Sequence, residues 1–109
     1  MSLYAEYLRE RTNDRIIEGE FGFATYRFLD GGKVYLIDIF VVPEKRKSGL
    51  ATSMANQIAA IAKEHGCTKM LGTVNPQAKG STNSLKVLLA YGMSLQNIAD
   101  GMVVFGKEI

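Results

Sequence analysis

One stretch of the chain, Val41-Val42-Pro43-Glu44-Lys45-Arg46-Lys47-Ser48-Gly49-Leu50-Ala51-Thr52, has the residue types to seat a phosphate group. It joins an apolar strand to the start of an apolar-periodic helix. The first N–H groups of a helix have no internal acceptor and sit at the positive end of its dipole. Gly49 lets the backbone approach a ligand there, and Arg46 and Lys47 add charge beside it. The preceding strand carries a single acid, Asp38. Apolar neighbours would desolvate its carboxylate and raise its pKa towards the range in which a carboxylate can act as a general base, directly or through a water.

Other chemistries lack their residues. Neither G-x-x-x-x-G-K-[ST] nor G-x-G-x-x-G occurs, so two common phosphate loops are out. A lone cysteine, Cys67, and a lone histidine, His65, cannot build a disulfide or a Cys/His metal centre, and no metal is expected. Cys67 reads as a small buried side chain and His65 as a residue of a helix C-terminus. The 13 Lys and Arg against 11 Asp and Glu leave a net charge of only +2. No aromatic platform interleaves with Lys45–Lys47, so nucleic acid is not an expected partner. No apolar run reaches the ~20 residues a membrane span needs, and the N-terminal residues show no basic-then-apolar signal pattern. The expected compartment is the cytoplasm.

The elements that must position this loop can be read from periodicity. With 109 residues, 47% hydrophobic and 22% charged, the chain has the size and composition of one domain spanning 1–109. Leu3, Tyr4, Tyr7 and Leu8 predict a helix capped by Ser2 and ended by Asn13-Asp14. Residues 21–29 and 34–42 predict two strands joined at Asp30-Gly31-Gly32. The second is apolar on both faces and reads as a central strand covered on both sides, with Asp38 as its only charge. Leu50, Ala51, Met54, Ala55, Ile58, Ile61 and Ala62 repeat at helical spacing up to Gly66. A strand at 69–74, a helix from about 81 to 91 and a hairpin around Ala99-Asp100-Gly101 complete the order α-β-β-α-β-α-β-β. The central strand–helix–strand requires a parallel crossover and the hairpins antiparallel neighbours. The fold class is α/β, a mixed and mostly antiparallel sheet with helices on both faces.

V-x-P-x-x-R-x-x-G-x-A after a buried strand resembles motif A of the GNAT superfamily of acyl-CoA-dependent N-acetyltransferases, whose R/Q-x-x-G-x-G/A signature falls on Arg46, Gly49 and Ala51. The resemblance continues through the helix to Met70–Val74. It reaches Ser84 to Met93, which is similar to the family's last helix and closing Gly-Phe, so that it covers roughly residues 34 to 107.

The resemblance implies acetyl-CoA as cosubstrate. The backbone amides of Lys47, Ser48, Gly49, Leu50, Ala51 and Thr52 would hold its pyrophosphate. The backbone of Phe40, Val41 and Val42 would pair with its pantetheine arm, while the strand at Thr73-Val74-Asn75 splays away and Gly72 weakens pairing near that point. Family members often place an asparagine at the start of the last helix; here the aligned residue is Ser81, with Asn75 and Asn83 nearby. Many also use a tyrosine on that helix to protonate the leaving thiolate. Here that position is Leu88, and Tyr91 lies one turn later.

The resemblance thus implies direct acetyl transfer to an amine on a small molecule or a protein. One helix before the first long strand is few for this family, so either a large acceptor brings its own surface or a second copy completes the site as a homodimer. Leu88 also leaves open a non-catalytic module that keeps the fold and CoA binding.

Overall fold

The computed structural model describes residues 2–79 and 81–109, with residues 81–84 as backbone only. Helix α1 (Leu3–Thr12) starts where the Ser2 hydroxyl accepts from the Ala5 amide at 3.0 Å and stops at Asn13, whose φ of 61° is left-handed. Strands β1 (Arg15–Glu18), β2 (Gly22–Leu29) and β3 (Lys33–Val41) come next, then a single turn at Pro43–Lys45 and helix α2 (Leu50–Glu64). Strand β4 (Lys69–Val74), helix α3 (Ser81–Ala90) and the hairpin of β5 (Ser94–Ala99) and β6 (Met102–Glu108) complete the chain. The four-residue β1 is an addition to the elements expected from the sequence. Its Arg-Ile-Ile-Glu is too short to show a period of its own, and it exists by pairing with β2.

The sheet runs β1-β2-β3-β4-β6-β5, with β3–β4 the parallel pair and the other pairs antiparallel. α2 buries Met54, Ala55, Ile58, Ala59 and Ala62 against Ala24, Val34, Leu36 and Met70. α3 sits beside it on the same face, where Leu88 covers Gly72 and the Tyr91 hydroxyl donates to Asn56 Oδ1 of α2 at 2.9 Å. α1 meets the opposite face at the β1 edge, through Ser2 to Glu18. Among the described residues no helix is long and apolar enough to cross a membrane.

Two features of β3 shape the site. The pairing with β2 steps from Tyr26↔Leu36 to Thr25↔Asp38, leaving Ile37 as an extra residue, a β-bulge. The bulge inverts the alternation: Val34 and Leu36 are buried before it, Val41 after it, and Asp38 and Phe40 turn outward and are exposed. The expectation of a strand covered on both faces along its length is therefore corrected. Its second half faces solvent on one side.

The other feature is a fork. β3 pairs with β4 from Lys33↔Lys69 to Leu36↔Gly72 and no further. β4 goes on with β6 to Val74↔Val103, while β3 goes on with β2 to Val41↔Gly22. Beyond the apex at Leu36 and Gly72 the facing edges of the two strands are unpaired.

Candidate active site

The loop between β3 and α2 closes at the open end of the fork. It is drawn together by Lys45 N–H to Val42 O at 3.0 Å, Arg46 N–H to Pro43 O at 3.3 Å, and the Ser48 hydroxyl to Lys45 O. Lys47 and Gly49 have φ of 67° and 86°, and Gly49 is the residue from which α2 starts. Two left-handed residues in three turn the chain sharply, so that successive N–H groups converge ahead of the helix. The first helical bond at this end is Ser53 N–H to Gly49 O at 3.0 Å. Among the described residues, the amides of Lys47, Ser48, Gly49, Leu50, Ala51 and Thr52 donate to no internal acceptor. A Cβ built on Gly49 meets nothing within 4 Å, so the space before the helix is open. Unpaired amides, a helix N-terminus and open space together fit a diphosphate.

The edge of β3 adds a second set of backbone groups, unpaired with β4. The Val42 amide donates to Phe21 O at 2.8 Å, so Val42 and, by antiparallel alternation, Phe40 direct backbone groups at β2. Val41, between them, directs its N–H and C=O into the fork. Of the three residues expected to line the fork by backbone, Val41 alone presents both groups there. Its carbonyl accepts from Arg46 Nε at 3.0 Å, and the Arg46 guanidinium lies 5.9 Å from the centre of the Phe40 ring. Arg46 thus lies folded back across the end of β3, one residue from the amide cradle. Phe40 stacks in turn on Phe23 with ring centres 5.7 Å apart, and Lys45 Nζ stands 4.7 Å from the Phe21 ring.

The sequence-predicted proton acceptor is where the fork opens, in a different environment from the one expected. Asp38 is exposed on the outer face of β3, so the desolvation on which its role was argued is missing. Ile37 is the physical reason: without the extra residue Asp38 would share the buried face with Leu36. Asn75 is exposed and spends its Oδ1 on the Gln77 amide at 3.0 Å, capping its own turn. The side chains of Ser81 and Asn83 lie outside the described residues.

At the apex, Leu88 is 7% exposed and closes the α3 side. Tyr91 does not substitute for a tyrosine there. Its hydroxyl is committed to Asn56, and burial pushes it above the ordinary phenol value. The reading of residues in sequence missed a bond on the opposite face, where the Tyr35 hydroxyl and Thr73 Oγ1 lie 2.7 Å apart across the apex. Strand alternation puts each on that face, but the partners are 38 residues apart and no local pattern pairs them.

A family model described as Acetyltransferase (GNAT) family matches residues 6–85. The chain belongs to the GNAT family of acetyltransferases. A mouse (Mus musculus) thialysine N-epsilon-acetyltransferase is 31% identical over 77 residues, which are 67% of this chain and 45% of that protein. This chain thus spans under half the length of that relative. Among solved structures, a GNAT-family acetyltransferase described as putative from Desulfovibrio desulfuricans superposes with a TM-score of 0.78 at 13% identity, over 94% of this chain and 75% of that one. The PaiA N-acetyltransferase of Thermoplasma acidophilum, solved with coenzyme A, gives 0.77 at 14% identity over 95% and 67%. An Elizabethkingia anophelis family member with acetyl-CoA bound gives 0.74 at 15% identity over 98% and 82%. At such identities these likenesses establish a shared fold.

Proposed function

We propose that residues 1–109 form a single N-acetyltransferase domain that moves an acetyl group from acetyl-CoA to a primary amine without a covalent enzyme intermediate. The observation that carries this is the run of unpaired amides from Lys47 to Thr52 at the mouth of the fork. Those amides, with the charges of Arg46 and Lys47, would hold the pyrophosphate. Val41 would pair with the pantetheine arm along the open edge of β3, its carbonyl passing from Arg46 to the arm. Acetyl-CoA supplies the activated acyl group; the chain's own part is to hold it and to manage protons.

An amine must be neutral to attack, and an unperturbed lysine-type amine has a pKa near ~10.4. Asp38, at the outer face of the fork, would take that proton through a water, since it stands in solvent. The acceptor is an amine on a small molecule or a protein. Among the described residues Asp38 and Phe40 stand exposed on the outer face of β3, which supports an acceptor that brings its own surface or a second copy of this chain as a homodimer. The binding of CoA and acetyl-CoA to the relatives' structures is in keeping with this assignment.

Thermal melts with and without CoA test it. At a hundred times its dissociation constant a ligand adds about 2.7 kcal/mol, which for a chain of this size raises Tm by roughly 10 °C. No shift up to millimolar CoA would remove the basis for the assignment. Leu88 at the apex supports one second reading, a CoA-binding module without turnover. A clear CoA shift with no thiol release across a broad panel of amines would select it.

A further inference from the structure

We infer that the Tyr35–Thr73 hydroxyl pair is the proton donor to the departing thiolate, the task for which Leu88 has no proton. This rests on the proposed acetyl transfer and adds a catalytic residue to it. Tyr35 stands one residue before the last β3–β4 rung and Thr73 one residue after it. Their 2.7 Å bond therefore crosses the apex of the fork. Gly72 turns its Cβ direction to Leu88, so Thr73, next along the strand, faces the other side; Tyr35 alternates with Leu36 in the same way. Around the apex Leu36, Ile37, Leu71, Leu88 and Met93 offer no proton. Both hydroxyl residues are half-buried, and either oxygen can donate, so the pair can pass a proton from one oxygen to the other. The register partner of Tyr35 on β2 is Arg27, whose guanidinium is paired with Asp14.

The step balances. The amine nitrogen forms a bond to the acetyl carbon, and the carbon–sulfur bond breaks with its electron pair on sulfur. The hydroxyl proton passes to that sulfur. The surplus proton of the new amide nitrogen leaves through water, with Asp38 as the nearest carboxylate on β3, and water restores the hydroxyl. The proton moves as the carbon–sulfur bond breaks, when the sulfur is gaining its electron pair.

Tyr35→Phe keeps the ring and removes the proton; Thr73→Val keeps the shape and removes the relay. Both variants should retain the CoA-induced rise in Tm. In a pH titration of bound CoA followed by thiolate absorbance, the wild type should ionise its thiol about one pH unit below Tyr35→Phe, because a donor to sulfur favours the anion. Turnover of acetyl-CoA should fall roughly 100-fold in Tyr35→Phe, the loss expected for a missing general acid. A thioester of a strongly acidic thiol, which needs no proton to leave, should lose less than about 3-fold by the same logic. Superimposable titrations, or equal losses with both donors, would overturn the inference while leaving CoA binding intact. Absence of any CoA shift in the wild type would sink the proposed function and this inference together.

Discussion

Leu88 lies so close over Gly72 that a Cβ added to the glycine would stand 3.1 Å from the leucine methyl Cδ2. Gly72 is the last rung of β4 against β3, so this contact packs the apex of the fork from the α3 side. Gly72→Ala should therefore overpack the apex and cost about 1–2 kcal/mol. Leu88→Val, smaller by one methylene, should absorb part of that cost, giving a coupling of at least about 0.5 kcal/mol in a double-mutant cycle. Urea unfolding of the four proteins measures it. Strict additivity would mean that α3 does not rest on Gly72.

The turn with free amides ahead of α2 was legible in sequence because it is local: a strand end, Gly49 and a helix start within a dozen residues. The placement of Asp38 was not. Apolar residues run without a break from Val34 to Ile37 and again from Ile39 to Val42, and nothing in that composition marks where the alternation inverts. The extra residue, Ile37, is set by pairing with β2, a tertiary event. β1 escaped for the same reason, since four residues form a strand only because β2 offers them an edge. The fork was anticipated through resemblance and Gly72, and the end of the ladder at Leu36↔Gly72 agrees with it. Tyr35 and Thr73 were invisible as a pair, because strand periodicity predicts faces and not partners across a crossover.

Tyr91 ties the two helices that flank the site, and it does so as a neutral phenol. Its hydroxyl bonds Asn56, and burial raises it above its ordinary value of 10.0. A group that holds its proton more tightly folded than unfolded keeps its full contribution below the unfolded value and loses it as pH rises through the folded one. Tyr26 is raised by burial as well, with Arg15 pulling the other way. Stability should thus be insensitive to these phenols at neutral pH and decline above pH 10. Tyr91→Phe should cost about 1 kcal/mol at pH 7 for the lost hydrogen bond and show a shallower alkaline decline. Urea midpoints measured across the alkaline range check both. An unchanged alkaline slope in Tyr91→Phe would place the titration elsewhere.

Blocking the cradle without harming the fold requires a position other than Gly49. With φ at 86°, Gly49 tolerates no β-branched residue without strain, so a valine there would confound lost binding with lost stability. Thr52 is exposed in the first turn of α2, where a carboxylate suits the helix dipole. Thr52→Glu should therefore leave the protein equally stable or better by up to about 1 kcal/mol. The same charge stands in the helix turn whose amides would hold a diphosphate, and like charges that close repel. The CoA-induced rise in Tm should fall from roughly 10 °C to nearly nothing, while the melting temperature without CoA stays level or rises. Thr52→Gln, of similar size and neutral, should keep most of the rise. Should Thr52→Glu bind CoA as well as the wild type, the amides at the start of α2 would not be the phosphate seat.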